Sequence, residues 1–132
     1  MLVALETACH ARPPLEILEI DIRIASSEGG NSISTKALVD TGATFTVLPE
    51  NLANQLGLKP IGEKVKVPTA KGPDELELAH ALLEINGRKR IMPVLISKHV
   101  DRTLLGVITL EAMQLRVNPL TGELEEYSAF LY

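Results

Sequence analysis

Ala37-Leu38-Val39-Asp40-Thr41-Gly42-Ala43-Thr44 is the segment from which the architecture of this 132-residue chain follows most directly. Its apolar residues end a predicted buried strand, and a carboxylate, a hydroxyl and a glycine follow at once. Since Asp, Thr and Gly all favour turns, the simplest interpretation is a tight turn at the end of the strand. A carboxylate in such a place is costly, however, unless it has a partner or a function. The segment therefore predicts either an ordinary turn or a functional carboxylate.

Short strands and turn signals surround this segment. Apolar residues alternate with charged ones from Leu15 to Ile24, with one interruption at Leu18 that indicates a bulge. The polar stretch Ser26–Asn31 predicts a hairpin loop, after which a second strand runs from Ile33 towards Asp40. These patterns are typical of a mostly β domain.

The remainder of the chain predicts more strands and two short helices. Pro49 suits the first position of a helix that ends at Leu56, with Gly57 as its left-handed cap. A second helix is predicted from Thr109 to Leu115. A further strand is expected at 65–67, where Pro68 interrupts it, and the polar turn Thr69–Asp74 follows. Two more strands are expected at 76–85 and 91–96, on either side of the turn Asn86-Gly87. A last strand is expected after the turn Asn118–Gly122.

Composition excludes several classes of function. The length suits one domain, and 45% hydrophobic residues argue against disorder. A net charge of −4, with 3% aromatic residues and no Trp, is unfavourable for nucleic-acid binding. No apolar run is long enough to span a membrane, and Met1–Leu5 is too short and lacks the basic residues of a signal peptide, so a cytoplasmic location is expected.

The other chemically active side chains form no recognisable site. Cys9 is the single cysteine, and His10, His80 and His99 are scattered, so neither a disulfide nor a metal ion is expected. No cofactor is predicted. The serines lack the Gly-x-Ser-x-Gly motif of a nucleophile elbow, which leaves Asp40 as the candidate catalytic group.

The chain resembles the retropepsin-like, single-domain aspartic peptidases, which act as homodimers. The segment Ala37–Thr44 is similar to their catalytic segment, and Leu104-Leu105-Gly106 is similar to their second motif near the C-terminal helix. Val67–Gly72 stands where the family has its flap. The resemblance implies a mostly β, closed barrel-like acid-protease fold with one or two short helices. The peptidase domain would span 15–126, flanked by an N-terminal extension or interface strand at 1–14 and a tail or interface strand at 127–132.

The chain also departs from the retroviral members at two positions. These members typically carry Asp after the Ala of the first motif and Arg after the Gly of the second, and the two form an ion pair near the dimer interface. Here the positions hold Thr44 and Val107, so both partners are absent together. The contacts that hold a dimer are therefore undefined, and the apolar ends Leu2–Leu5 and Ala129–Tyr132 are candidates for them.

The resemblance implies catalysis by two carboxylates that share one proton. The chain has one Asp-Thr-Gly, and Asp21, Asp74 and Asp101 lack that context. The second Asp40 would therefore come from a second copy of the chain. The family's supporting roles fall on residues of the two motifs: Thr41, Gly42, Ala43, Leu104, Leu105 and Gly106.

The flap implied by the resemblance would close over a peptide or protein substrate in an extended conformation. Its residues here are Val67, Thr69, Ala70, Lys71 and Gly72. Two alternatives stay open, because a fold does not fix a function. One is a non-catalytic dimer of the same fold that binds peptides or scaffolds a partner. The other is an unrelated β-rich binding domain in which Asp-Thr-Gly occurs by chance.

Overall fold

The structure is a computed structural model, and it describes residues 18–69 and 71–127. The predictions for 1–14, for Leu15–Ile17 and for Ala129–Tyr132 lie outside the described residues, and so does Ala70 of the predicted flap. The elements of the described part are, in chain order, β1 (Glu19–Ser26), β2 (Ser32–Val39), β3 (Thr46–Pro49), α1 (Glu50–Leu56), β4 (Lys64–Thr69), β5 (Gly72–Ile85), β6 (Arg88–Ser97), β7 (Thr103–Leu105), α2 (Val107–Ala112), β8 (Leu115–Val117) and β9 (Leu124–Glu126).

Six of these strands close into a barrel. The sheet runs in the order β1-β2-β7-β3-β6-β5, and β5 pairs with β1 to complete the circle, while β4 adds to β5. The pairs β2–β7 and β3–β6 are parallel, and the others in the barrel are antiparallel. Closure removes free strand edges, which would otherwise pair with other chains. The prediction of a mostly β, closed sheet with two short helices is confirmed.

The alternation of apolar residues along the strands builds the barrel interior. Ile22 and Ile24 of β1 are buried, whereas Asp21 and Arg23, which alternate with them along the strand, are exposed. The same core takes Leu105 from β7, and residues of β5, β6 and both helices complete it. Burial of these side chains removes apolar surface from water, which is the main driving force for closing the barrel.

Two predicted turns have the expected geometry. Asn86 and Gly87 join β5 to β6 with φ angles of 53° and 81°, the positive values that a two-residue hairpin turn requires. Gly57 ends α1 with φ 67°, and its N–H donates to the carbonyl oxygen of Asn54 at 3.1 Å. Pro49 precedes this helix as its N-cap rather than occupying the first helical position.

The prediction that Pro68 interrupts a strand is wrong. Strand β4 continues through Pro68, which lies directly opposite Pro73 of β5. Proline is tolerated here because β4 lies at an edge of the sheet, where a missing N–H leaves no neighbouring carbonyl without a donor. The polar turn predicted at Thr69–Asp74 is accordingly much shorter, since β5 already begins at Gly72.

The predicted helix at Thr109–Leu115 is shifted in the structure. Helix α2 runs from Val107 to Ala112, and Gln114 then turns the chain with φ 58°. Leu115 therefore begins β8, which pairs with β9 after the predicted turn Asn118–Gly122.

Candidate active site

Asp40 follows directly on β2 and is held from two directions. Its backbone N–H donates to the carbonyl oxygen of Leu105 at 3.0 Å. Its Oδ1 accepts the N–H of Gly42 at 3.0 Å, and its carbonyl oxygen accepts the N–H of Ala43 at 3.0 Å. The side chain is 8% exposed, so it is largely shielded but still reaches the surface. We call residues 40–44 the Asp40 loop.

Strand β7 brings the second predicted motif against this loop. Leu105 lies opposite Val39 of β2 in a parallel pair, and Leu104 lies opposite Val47 of β3 in an antiparallel pair. The two strands on either side of the Asp40 loop are thus joined through β7. Leu105 points into the barrel core, whereas Leu104 belongs to a separate apolar cluster.

Gly106 is required by a close approach of two backbone segments. A Cβ atom at this position would lie 2.4 Å from the carbonyl carbon of Phe45 and 2.8 Å from the carbonyl oxygen of Thr44. Separations below about 3 Å between such atoms demand a shift of the backbone. The backbone of Gly106 is extended, with φ −92° and ψ 173°, so the need for glycine is one of space.

A buried pair of hydroxyl groups fixes the same region. The Oγ1 atoms of Thr46 and Thr109 are 2.7 Å apart, and these residues are 0% and 1% exposed. Thr46 Oγ1 also accepts the N–H of Gly106 at 3.1 Å. The sequence analysis did not single out either threonine. The available signal was a polar residue inside the apolar run 45–48, because a buried hydroxyl needs a partner.

The beginning of α2 rests on the Asp40 loop. The N–H of Val107 donates to the carbonyl oxygen of Ala43 at 2.8 Å, and that of Ile108 donates to Thr44 at 3.0 Å. Together with the bond from Asp40 to Leu105, these contacts fix both ends of the loop to β7 and α2. The predicted support residues are thus brought together around Asp40.

Thr41 and Gly42 are exposed at the turn of this loop. No hydrogen bond or ion pair within the described ranges joins Asp40 to a second carboxyl group. Asp21 and Asp101 are exposed and form surface ion pairs with Lys36 and Arg102, at 2.9 Å and 3.9 Å. Among residues 18–69 and 71–127, a single chain therefore presents one buried carboxylate, that of Asp40, beside an exposed turn.

A two-stranded ribbon that extends beyond the barrel contains the predicted flap residues that the structure describes, which are Val67, Thr69, Lys71 and Gly72. Strands β4 and β5 pair from Lys64 opposite Glu77 to Thr69 opposite Gly72, and we call this element the hairpin 64–77. Strand β6 pairs with β5 only from Glu77 onward, so the part of the hairpin nearer its tip has no third strand. Gly72 has φ 111° at the tip, with open space around its Cα.

The inner side of the hairpin meets the surface that flanks Asp40. Leu38, Val47, Leu95 and Leu104 form a buried apolar cluster, and Leu38 lies two residues before Asp40. We call this set the cleft cluster. Val65, Val67 and Leu76 of the hairpin pack against it. So do Phe45, which follows the Asp40 loop, Leu78 of β5 and Val100 of the 98–102 loop.

The described residues contain neither a cluster of metal ligands nor a membrane-spanning helix. In the ranges 18–69 and 71–127, no group of three or more His, Cys, Asp or Glu side chains is placed to hold a metal ion. None of the helices described is both long and apolar enough to cross a membrane.

A protein-family model described as "gag-polyprotein putative aspartyl protease" matches residues 29–112. The match begins in the loop before β2 and ends with α2, so it covers the Asp40 loop, the hairpin 64–77 and the Leu104-Leu105-Gly106 motif. No curated protein matches the chain.

Solved structures of several proteases resemble this fold. EIAV protease, solved with the inhibitor HBY-793, is 24% identical with a TM-score of 0.58, over 77% of this chain and 93% of that one. A retropepsin-like aspartic protease from Rickettsia conorii is 23% identical with a TM-score of 0.57, over 82% and 89%. The Simian Foamy Virus (mac) protease is 26% identical with a TM-score of 0.52, over 71% and 92%.

Proposed function

Since the chain belongs to the gag-polyprotein aspartyl protease family and has a retropepsin-like fold, we propose that it is an aspartic endopeptidase. The observation that carries this proposal is the geometry of Asp40. Its carboxylate is oriented by the N–H of Gly42, is shielded to 8% exposure, and lies beside the apolar cleft cluster. A group that served only to form a turn would not need a cleft beside it.

The proposed reaction uses two Asp40 carboxyl groups, one from each subunit of a homodimer. One carboxylate takes a proton from a water molecule, whose oxygen attacks the carbonyl carbon of the scissile peptide bond. The other carboxyl group is protonated and gives its proton to the carbonyl oxygen of that bond, which forms a tetrahedral intermediate. The first carboxyl group then passes the proton it took from water to the peptide nitrogen, the carbon–nitrogen bond breaks, and the second carboxylate recovers a proton from a hydroxyl of the intermediate. Because two adjacent negative charges repel, the pair retains one proton, and activity is expected to be greatest in acid. No metal or other cofactor takes part.

The surface of the Asp40 loop supports the homodimer. Thr41 and Gly42 are exposed, so they are accessible to a second copy of the same loop. We propose that Thr41 bonds across the two-fold axis and that Gly42 allows the backbones to approach. Thr44 is exposed and Val107 is half-buried. Because neither side chain carries a charge, no ion pair between these positions can hold the dimer. The terminal segments 1–14 and 127–132 are the proposed replacement.

The hairpin 64–77 and the cleft cluster support binding of an extended peptide. A strand placed between the hairpin and the Asp40 loop would form backbone hydrogen bonds along its length. Its apolar side chains would meet the cleft cluster when the hairpin opens, because Val65, Val67 and Leu76 of the hairpin cover that cluster in the structure. Backbone pairing supplies affinity, and the surface facing the side chains supplies selectivity.

Replacement of Asp40 by asparagine tests the activity. Asp40→Asn keeps the size of the side chain and an oxygen that can accept the Gly42 N–H, so the turn is retained. It removes the base and the shared proton, and cleavage of a denatured protein should fall by orders of magnitude. The measurement is the rate of peptide release, with circular dichroism to check folding.

Asp21→Asn is the matched control, because Asp21 is an exposed carboxylate that pairs with Lys36 away from the loop. This variant should cleave like the unaltered protein. Full activity in Asp40→Asn would refute the peptidase. Peptide binding without cleavage by the unaltered protein would favour the non-catalytic peptide-binding dimer instead.

Dilution tests the shared site. Half of the catalytic pair cannot perform the reaction, so activity per subunit should fall when the protein is diluted below its dimer dissociation constant. Activity and sedimentation velocity measured over the same concentrations should change together. A fully active monomer would exclude a site built from two chains.

A further inference from the structure

The hairpin 64–77 has two chemically different faces. Residues directly opposite each other in an antiparallel pair point to the same side, and the side alternates along the strand. The register therefore places two oppositely charged pairs on the outer face, Lys64 with Glu77 and Lys66 with Glu75. The inner face holds the pairs Val65 with Leu76 and Val67 with Asp74.

The inner face is the one directed at the cleft. Val65, Val67 and Leu76 all pack against the cleft cluster, which includes Leu38 beside the Asp40 loop. Asp74 is the next residue on this face towards the hairpin tip. It is half-buried, whereas its neighbour Glu75 on the outer face is exposed. A carboxylate therefore stands on an otherwise apolar surface that looks towards the catalytic side.

The charge of Asp74 is not balanced across the strand pair. Its opposite residue is Val67, whereas each acidic residue of the outer face lies opposite a lysine. The Oδ1 atom of Asp74 accepts the N–H of Glu75 at 2.8 Å, and none of the ion pairs within 18–69 and 71–127 includes Asp74. Attraction between charges strengthens as water is displaced from around them.

We propose that Asp74 makes this protein select substrates with a lysine or arginine side chain beneath the hairpin tip. An extended peptide presents alternate side chains to one face, so apolar residues would meet the cleft cluster and a cationic residue would meet Asp74. This selection rests on the proposed peptidase function. Asp74 is a specificity-determining residue in this scheme and takes no part in the bond cleavage at Asp40.

The test uses a peptide that the unaltered protein cleaves, remade with lysine, glutamine or glutamate at each position around the scissile bond. At one position the unaltered protein should cleave the lysine peptide with the highest kcat/KM. Asp74→Asn should reduce the lysine-to-glutamine ratio about fivefold, mainly through KM, as expected for loss of a single partly exposed ion pair. Asp74→Lys should shift the preference to glutamate.

Glu75→Gln is the matched control, because it removes a neighbouring charge from the outer face of the same strand. It should leave the lysine-to-glutamine ratio unchanged. An unchanged ratio in Asp74→Asn, or an equal fall in Glu75→Gln, would overturn the proposal.

A binding measurement separates this proposal from the peptidase itself. In the Asp40→Asn background, fluorescence anisotropy of labelled peptides should show tighter binding of the lysine peptide, and addition of Asp74→Asn should abolish the difference. If no peptide is ever cleaved but this binding preference is present, the catalytic proposal fails while the role of Asp74 stands. If peptides are cleaved but neither cleavage nor binding depends on Asp74, the role of Asp74 fails while the catalytic proposal stands.

Discussion

The Asp40 loop and the hairpin 64–77 lie on the two sides of the same cleft, yet they are held in opposite ways. The loop is fixed by backbone bonds from Asp40 to Leu105 and from Val107 to Ala43, and by the buried hydroxyl of Thr46. The hairpin is paired with a barrel strand at its base only, because β6 does not extend beside its outer half, and beyond that point Val65, Val67 and Leu76 make side-chain packing contacts with the cleft cluster.

The difference suits the separate tasks proposed for the two elements. In the proposed reaction the Asp40 carboxylate must be in position before substrate arrives, and a packed loop meets that requirement. A covering element must let an extended chain enter and then close, which requires local openings that cost little. Substitutions in the loop should therefore lower the free energy of unfolding, whereas substitutions at the hairpin tip should lower turnover.

Gly106→Ala should have the largest effect on stability. The new Cβ would lie 2.4 Å from the backbone of Phe45, so β7 and the Asp40 loop would be forced apart. We expect the free energy of unfolding to fall by at least about 3 kcal/mol. Urea denaturation measures this free energy. Gly29→Ala is the control, because a Cβ at position 29 meets no other atom and the substitution introduces backbone strain alone. Equal effects at the two sites would show that the close approach is unimportant.

Thr46→Val should have the next largest effect. Valine keeps the shape but leaves the N–H of Gly106 and the hydroxyl of Thr109 without their partner, which costs about 1–3 kcal/mol. Thr46→Ser, which keeps the hydroxyl, should cost less. In the double variant Thr46→Val with Thr109→Val, the loss of unfolding free energy should be smaller than the sum of the two single losses. The reason is that each single substitution already removes the same hydrogen bond between the two hydroxyl groups. Strict additivity would contradict a direct bond.

Gly72→Val should have the smallest effect on stability and a clear effect on turnover. With φ 111°, a β-branched residue is strained at the tip, but the strain lies where no third strand is attached. We expect the free energy of unfolding to change by less than about 1 kcal/mol, whereas kcat/KM for peptide cleavage falls. Gly29→Val is the control, since it introduces similar strain in the β1–β2 loop. Unchanged kinetics in Gly72→Val would show that the covering element lies elsewhere.

Local patterns predicted much of this fold. Alternation located β1 and β2, and Asn86-Gly87 located the turn between β5 and β6, because these features depend on neighbouring residues alone. The prediction at Pro68 is wrong because a strand tolerates proline only where it lies at the edge of a sheet, and the sequence does not show that β4 is an edge strand. The closure of β1 on β5 likewise has no local signal.

The candidate site divides in the same way. Asp40 could be chosen from the sequence, because a carboxylate directly after an apolar strand is conspicuous, whereas the Leu104-Leu105-Gly106 motif could be chosen only through the family resemblance. The contact between Thr46 and Thr109 could not, since these residues are 63 positions apart and meet only in the folded chain. The role proposed for Asp74 has no signal in the sequence, because the face of the hairpin that Asp74 occupies follows from its register with Val67.

The dependence of the Asp40 loop on β7 and α2 has a consequence for the order of events during synthesis. Asp40 leaves the ribosome before Leu105, Gly106 and Thr109, which are the residues that hold it. Domains acquire long-range contacts only once both segments are available. A nascent chain would therefore carry a carboxylate that cannot yet be positioned, and the proposed peptidase activity would be withheld until β7 and α2 have been synthesised.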